Sequence, residues 1–317
     1  MAKLSVDQTL SRAKSHAKKG ELEEAQRLYH NVLQAFPKNG RAQKGLDALR
    51  QHNATTAAQN PPQELLQRLL GYYQNGRFSD AEKLAVIITQ EFPKHQLAWK
   101  VLGAVLAATG RKPEAVHANQ RAVTLSPEDA EAHYNLGVTL KELGRFDESI
   151  SSYVRAINLK ADFDDAYYNL GLALKPARFN KRDQSLYPVL INLLNRGNFV
   201  RPGDVAGAIT RLLRLDNLIE DTLLNTTTSS DIKEVDRAIK TLAQVPLLHH
   251  LMRICPLPDL QLEASFVSMR RVLLADLEEV KTSPEFIHFL STLSLQCFTN
   301  EYVYFETREE TELISAL

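Results

Sequence analysis

Along residues 62–175 apolar positions recur at three- and four-residue spacing, the period of helices with one buried face. The pattern itself repeats. Written at a period of 34 residues, HYNLGVTLK at 133–141 stands over YYNLGLALK at 167–175, with six of nine positions identical. One period earlier Trp99, Leu102, Gly103 and Leu106 stand over His133, Leu136, Gly137 and Leu140. The second half of each period keeps register as well, with Ala81, Ala115 and Ser149 in one column and Ile88, Ala122 and Ala156 in another. Small residues there let two helices approach closely. Between the halves, QNGRFSD, ATGRKPE and ELGRFDE put Gly76, Gly110 and Gly144 where a left-handed residue ends a helix. Pro93 and Pro127 mark the exit from the second helix, and Ser126-Pro127-Glu128 supplies a cap, a first-turn proline and a dipole-matched acid. Ala161 replaces the proline in the third copy. A period of this length with two helices per copy predicts stacked helical hairpins.

These columns resemble the tetratricopeptide repeat: Trp99, Leu102, Gly103, Leu106, Ala115, Ala122 and Pro127 occupy its consensus positions. The resemblance is tightest over 96–163 and extends to 62–95 through Tyr72, Ala81 and Pro93, where Leu69 stands in the small-residue column and predicts a different helix spacing. A further copy is read at 6–39, with Ala13, Gly20, Ala25, Tyr29 and Pro37 in register, followed by the helix-like RAQKGLDALRQ. The segment 53–62, NATTAAQNPP, reads as a linker. Residues 164–175 supply only a first helix, ended by Pro176. The expected fold is all-α. A hairpin plus helix occupies 1–52, a linker 53–62, three repeats and a partial fourth 62–175 as a helical-hairpin superhelix, and an irregular helical domain 176–317.

Beyond 176 the period is lost, yet SLYPVLINLLNRG, PGDVAGAITRLLRLD, SDIKEVDRAIKTLAQV, LEASFVSMRRVLLADLEEV and SPEFIHFLSTLSLQCF keep helical spacing. Ser283-Pro284-Glu285 and Thr307 with Glu310 are helix starts. PLLHHLMRICPLPDL at 246–260 predicts a short helix and a buried turn. The chain stops at ETREETELISAL inside an amphipathic pattern without a stop signal, which reads as a truncated boundary. LLHHLMRICPLPDL and CFTNEYVYFET resemble the segment that, in bacterial proteins, joins tetratricopeptide repeats to an S-adenosylmethionine-dependent methyltransferase domain. The resemblance spans about 176–310 and implies a substrate-recruiting part of such an enzyme. No two glycines are separated by a single residue, so the G-x-G turn that lets backbone approach that cofactor is missing. An accessory part of a glycosyltransferase system is a third reading.

Lys plus Arg and Asp plus Glu are each 38, a balance that excludes the uniformly basic surface of a phosphate-backbone binder. The balance is a sum of unlike halves: 1–175 carries 23 basic and 19 acidic side chains, 176–317 carries 15 and 19. Glycine, 13 of 317 residues, falls short of the roughly 7% average that phosphate cradles and dense β-turns would exceed. Two cysteines, Cys255 and Cys297, build neither a disulfide framework nor a four-thiolate zinc site. No signal-peptide core and no stretch of 18 uncharged apolar residues occurs, so the expectation is a cytoplasmic chain with no membrane and no nucleic-acid partner.

His249, His250 and Cys255 lie close in sequence, but adjacent histidines point to different helix faces and no second cluster completes a ligand set. They are expected as satisfied core or half-buried side chains, and Cys297 as a small buried hydrophobe. Glu301, Glu306, Glu309, Glu310 and Glu312 read as a solvated face. With no P-loop, GxSxG or zinc-helix motif, no catalytic residue, cofactor or metal is expected. Lys175, Arg178, Lys181 and Arg182, near Phe179 and Tyr187, read as a hinge pairing with the acidic half. In a stacked array the first helices line a groove, and the columns facing it carry Lys100, Tyr134, Asn135, Lys141, Tyr168, Asn169 and Lys175. An asparagine amide both donates and accepts, so Asn135 and Asn169 suit the backbone of an extended peptide, as the same column does in repeat proteins of this family. Two readings stand: a partner-binding ladder, or consensus asparagines beside solvated lysines. The expected function is a noncatalytic scaffold that holds a protein or peptide partner.

Overall fold

The computed structural model describes residues 5–275, 284–299, 308 and 311, with backbone alone for 50–59, 285 and 297–299. The described residues form seventeen α-helices, one 3-10 turn and no strand. They divide into two compact units, Met1–Thr109 and Gly110–Leu317. The division falls in the turn of the repeat at 96–129, not at 175.

The first unit contains α1 (Val6–Lys18), α2 (Leu22–Ala35), α3 (Gly40–Gln59), α4 (Gln63–Gln74), α5 (Phe78–Glu91) and α6 (Gln96–Ala108). Ser5 and Gln8 close a reciprocal capping box at the start of α1. Leu10, Ala13, Ala25, Tyr29, Val32, Ala42, Leu46 and Leu49 join α1, α2 and α3 in one core. The expected linker is helical as far as Gln59. NATTAAQ holds no Gly or Pro and three alanines, and the helix stops where Asn60 precedes Pro61. In α6, Trp99 Nε1 donates to the Pro93 carbonyl at 2.9 Å.

The second unit begins with α7 (Lys112–Leu125), α8 (Ala130–Glu142), α9 (Phe146–Leu159) and α10 (Asp164–Leu174). Gly144 turns α8 into α9 at φ +74°, and a Cβ on Gly137 would stand 2.7 Å from the Tyr153 ring of α9. That contact, with Ser149 Oγ donating to the Gly137 carbonyl at 2.8 Å, explains the small-residue columns. His133 repeats the Trp99 bond, its Nε2 lying 2.9 Å from the Pro127 carbonyl. One period on, Ala161 replaces the proline and Tyr167 offers no ring N–H. The Ala161 carbonyl instead accepts from Arg196 at 2.9 Å, and the guanidinium lies over the Tyr167 ring at 4.2 Å and pairs with Asp164 at 2.7 Å.

Arg196 ends α11 (Tyr187–Arg196), which follows a 3-10 turn at Gln184–Leu186. Then come α12 (Pro202–Arg214), α13 (Asn217–Thr227), α14 (Ile232–Leu242), α15 (Pro246–Ile254), α16 (Leu260–Ala275) and α17 (Pro284–Thr299). One core runs without interruption from Ile150 through Leu170, Leu174 and Leu190 to Phe266, Phe289 and Leu293. Residue 175 is therefore the end of a sequence pattern and not of a packing unit. The turn after α15 is buried at Cys255 and Leu257, whereas Pro256, Pro258 and Leu260 are exposed, and its backbone is tied down by one side chain: Leu257 N donates to Gln296 Oε1, and Gln296 Nε2 donates to the Met252 and Cys255 carbonyls at 2.8 and 3.0 Å. Helix α17 begins at Pro284; Ser283, Thr307 and the glutamates at 301, 306, 309, 310 and 312 lie outside the described residues.

Candidate functional site

Helices α8 and α10 are the first helices of successive hairpins in the second unit, and Asp129 fixes the start of α8 by accepting from Glu131 N and Ala132 N. The 34-residue period places Tyr134 and Asn169 in adjacent columns, and the structure joins them. Asn169 Nδ2 donates to the Tyr134 hydroxyl at 3.2 Å and to the Asp165 carbonyl at 2.9 Å, while its Oδ1 accepts from Lys141 Nζ. Three of the four hydrogen-bonding capacities of this amide are thereby engaged within the chain. The Tyr134 ring packs 5.0 Å from Phe163 and 6.0 Å from Tyr153, and Lys160 lies over Phe163.

Lys141 is half-buried, and among the described residues it meets no carboxylate at ion-pair distance. Burial holds its ammonium below the ordinary lysine value, with neighbouring Glu142 opposing. The result is a partly desolvated cation whose contact is a neutral amide oxygen. Asn135 differs from Asn169: its carbonyl accepts from Thr139 Oγ1 at 2.9 Å and from buried Asn119 at 3.4 Å, and its own amide bonds to none of the described residues. Tyr168 is 51% exposed beside them.

Two of the seven expected positions lie elsewhere. Lys100 is half-buried on α6 in the first unit. Lys175 pairs with Asp204 at 2.7 Å, and Arg182 pairs with nearly buried Asp216 at 2.9 Å, so the basic run ties α10 and the following loop to α12 and the start of α13. Phe179 is half-buried and packs against the core there. Sequence columns do not reveal Phe163, because it falls in the turn, or Arg196, because it lies outside the period.

The histidine cluster departs from expectation. His249 is 6% exposed and its ring stacks on His288 at 5.2 Å, but among the described residues neither of its nitrogens has a hydrogen-bond partner. The reason is its setting: α15 presents it to His288 and Phe289 of α17, and an edge-on phenyl ring supplies no acceptor. Burial raises the Cys255 thiol to about 11, far from a reactive thiolate. Among the described residues no group of three or more His, Cys, Asp or Glu could hold a metal ion, and no helix is long and apolar enough to cross a membrane.

Comparison with known proteins places the repeat. Tetratricopeptide repeat models match residues 66–130 and 118–151, and a TPR repeat model matches 139–175. These models lie within 66–175, and the resemblance of 176–310 to a segment preceding a methyltransferase domain is not shown. No curated protein is similar in sequence to the chain. Among solved structures, MamA is 26% identical over 51% of this chain and 82% of its own, with a TM-score of 0.34. A mutant O-GlcNAc transferase from Thermobaculum terrenum is 25% identical over 42% of this chain and 26% of its own, with a TM-score of 0.36. YrrB, described as a TPR protein with an unusual peptide-binding site, is 17% identical over 78% and 91%, with a TM-score of 0.32. Likenesses at these TM-scores settle neither function nor arrangement.

Proposed function

We propose that the tetratricopeptide repeats of the second unit hold an extended segment of a partner protein on the face built by α8 and α10, and that the chain acts as a noncatalytic scaffold. The observation that supports this most directly is the cluster of Tyr134, Lys141 and Asn169. A half-buried ammonium without a carboxylate keeps part of its electrostatic field for an incoming acceptor, and Tyr134 and Asn169 hold it in place. Asn135 contributes the open amide for peptide backbone, and exposed Tyr168 contributes apolar area with a polar tip.

Within this reading the two asparagines have different tasks. Asn135 touches the partner; Asn169 positions Tyr134 and Lys141. Selection of binders from a random peptide library with the full chain tests it. Lys141→Gln and Asn135→Ala are expected to weaken selected peptides about tenfold or more at unchanged melting temperature. Peptides that bind both variants as tightly as the parent chain would remove this face from consideration.

A further inference from the structure

Helices α13 and α14 follow the repeats, share no residue with the face described above, and form a hairpin with an exposed apolar outer side. Leu218 and Leu224 of α13 are 64% and 53% exposed. They border a groove of about 620 Å³ between the two helices, where Ala238 of α14 is small and buried. Asp221 lines the groove from α13 and Arg237 from α14. Both are exposed, and among the described residues neither makes an ion pair, with the other or with a third group. Their neighbours on α14 are engaged: Lys240 pairs with Asp236 at 2.8 Å, and Glu234 accepts from Ser229 Oγ at 2.7 Å. At 1.5 Å per residue, Asp221 stands about 9 Å back from Thr227 at the end of α13, and Arg237 about 7.5 Å beyond Ile232 at the start of α14. The two charges therefore share one level of the hairpin.

One anion and one cation at the same level on opposite sides make this face its own complement. We infer that a second copy of the chain docks there, the two grooves facing each other about a two-fold axis that runs along them. Rotation about that axis exchanges the sides, so α13 of each copy lies over α14 of the other. Asp221 then meets Arg237 of the partner subunit, and the pair forms twice. An axis across the groove at that level would instead set Asp221 against Asp221 and Arg237 against Arg237, so the charges select the first arrangement. The same rotation lays exposed Leu218 over Thr241 of the partner subunit, which gives the pairs an apolar flank. Each helix has 11 residues and is about 16 Å long. A contact of that extent falls below the roughly 800 Å² per partner of a stable interface, so the dimer is weak and its population rises with concentration.

Sedimentation equilibrium of the full chain between about 10 µM and about 1 mM tests this, and the parent chain is expected to pass from monomer to dimer within that range. Asp221→Arg and Arg237→Asp each leave the face with a single sign, and each is expected to weaken dimerisation at least about tenfold at unchanged melting temperature. An equal mixture of the two variants is expected to pair as a heterodimer, because each then offers the charge that the other lacks. The chain carrying both exchanges is expected to dimerise again. Rescue of this kind cannot come from a mere loss of structure. Leu218→Ser is expected to weaken the parent dimer as well. A parent chain still monomeric at about 1 mM overturns the inference, as does a dimer that survives either single exchange or a mixture that stays monomeric. Should a variant melt early, Arg237→Gln takes its place, with amide exchange of α13 and α14 in the parent chain read at both ends of the concentration range; no slowing of exchange at the upper end overturns the docking site.

Discussion

At Gly137 one methyl group decides whether a hairpin closes. The Tyr153 ring occupies the volume a Cβ would need, so Gly137→Ala is expected to cost about 1–3 kcal/mol in chemical denaturation. Gly71, inside α4, faces no atom of the described residues within 4 Å, and there the same exchange is expected to stabilise by about 0.5–1 kcal/mol, because only helix propensity changes. Opposite signs for one substitution are a sharp check on the packing. His249 adds a pH dependence. Burial, then the neighbouring His288 and Arg253, hold its imidazole below the ordinary value, and burial does the same to His250. The unfolded chain, with histidines near about 6.5, then binds more protons than the folded chain as pH falls. Stability is full above the unfolded value and declines as pH drops from there toward the depressed folded value. Denaturation at about pH 7.5 and about pH 5.5 should show this loss, and His249→Leu should flatten it.

Helices and turns show how unevenly the chain can be read. The hairpins of 62–175 are legible because two structural requirements recur at a fixed interval: Gly at the turn and small residues where two helices approach closely. The extension of α3 through 53–59 is not, because a polar stretch of small residues suits a loop and a helix equally until Pro61 stops it. Within the candidate site, the column positions of Tyr134 and Asn169 follow from the period. The reach of Lys141 across to Asn169 depends on side-chain conformation between helices and leaves no trace in spacing. Arg196 illustrates the same limit, since a residue far outside the period completes the third hairpin. Arg196→Ala should lower stability by about 1–2 kcal/mol through loss of the Tyr167 stack, the Asp164 pair and the Ala161 bond, whereas Arg196→Lys should recover only part of it. Gln296 serves the turn after α15 in a comparable way, and Gln296→Ala, which strands three buried backbone groups, should cost about 2–4 kcal/mol by denaturant titration.

On the scale of the whole chain, the change in sequence character at 175 suggests a domain boundary that packing does not follow. Leu170, Ala173 and Leu174 are fully buried in a core shared with helices as distant as α17. A fragment ending at 175 uncovers them and is expected to aggregate or melt early, whereas a fragment of 110–317 keeps that core and is expected to unfold cooperatively; calorimetry of the two separates these outcomes. The split of charge between the halves has a local meaning too, since Lys175 and Arg182 meet Asp204 and Asp216 inside one unit.

The guanidinium over Tyr167 also bears on how the array could grow. A stack of hairpins is in principle open-ended, because each face that accepts a repeat becomes another such face after accepting it. Here the last hairpin position is filled by α11 and the Val200 turn, with Val200 Cβ only 3.1 Å from where a Cβ on Gly171 would lie. The surface onto which another copy would stack is consumed by the chain itself. A further hairpin could stack there only by displacing α11 and the Val200 turn.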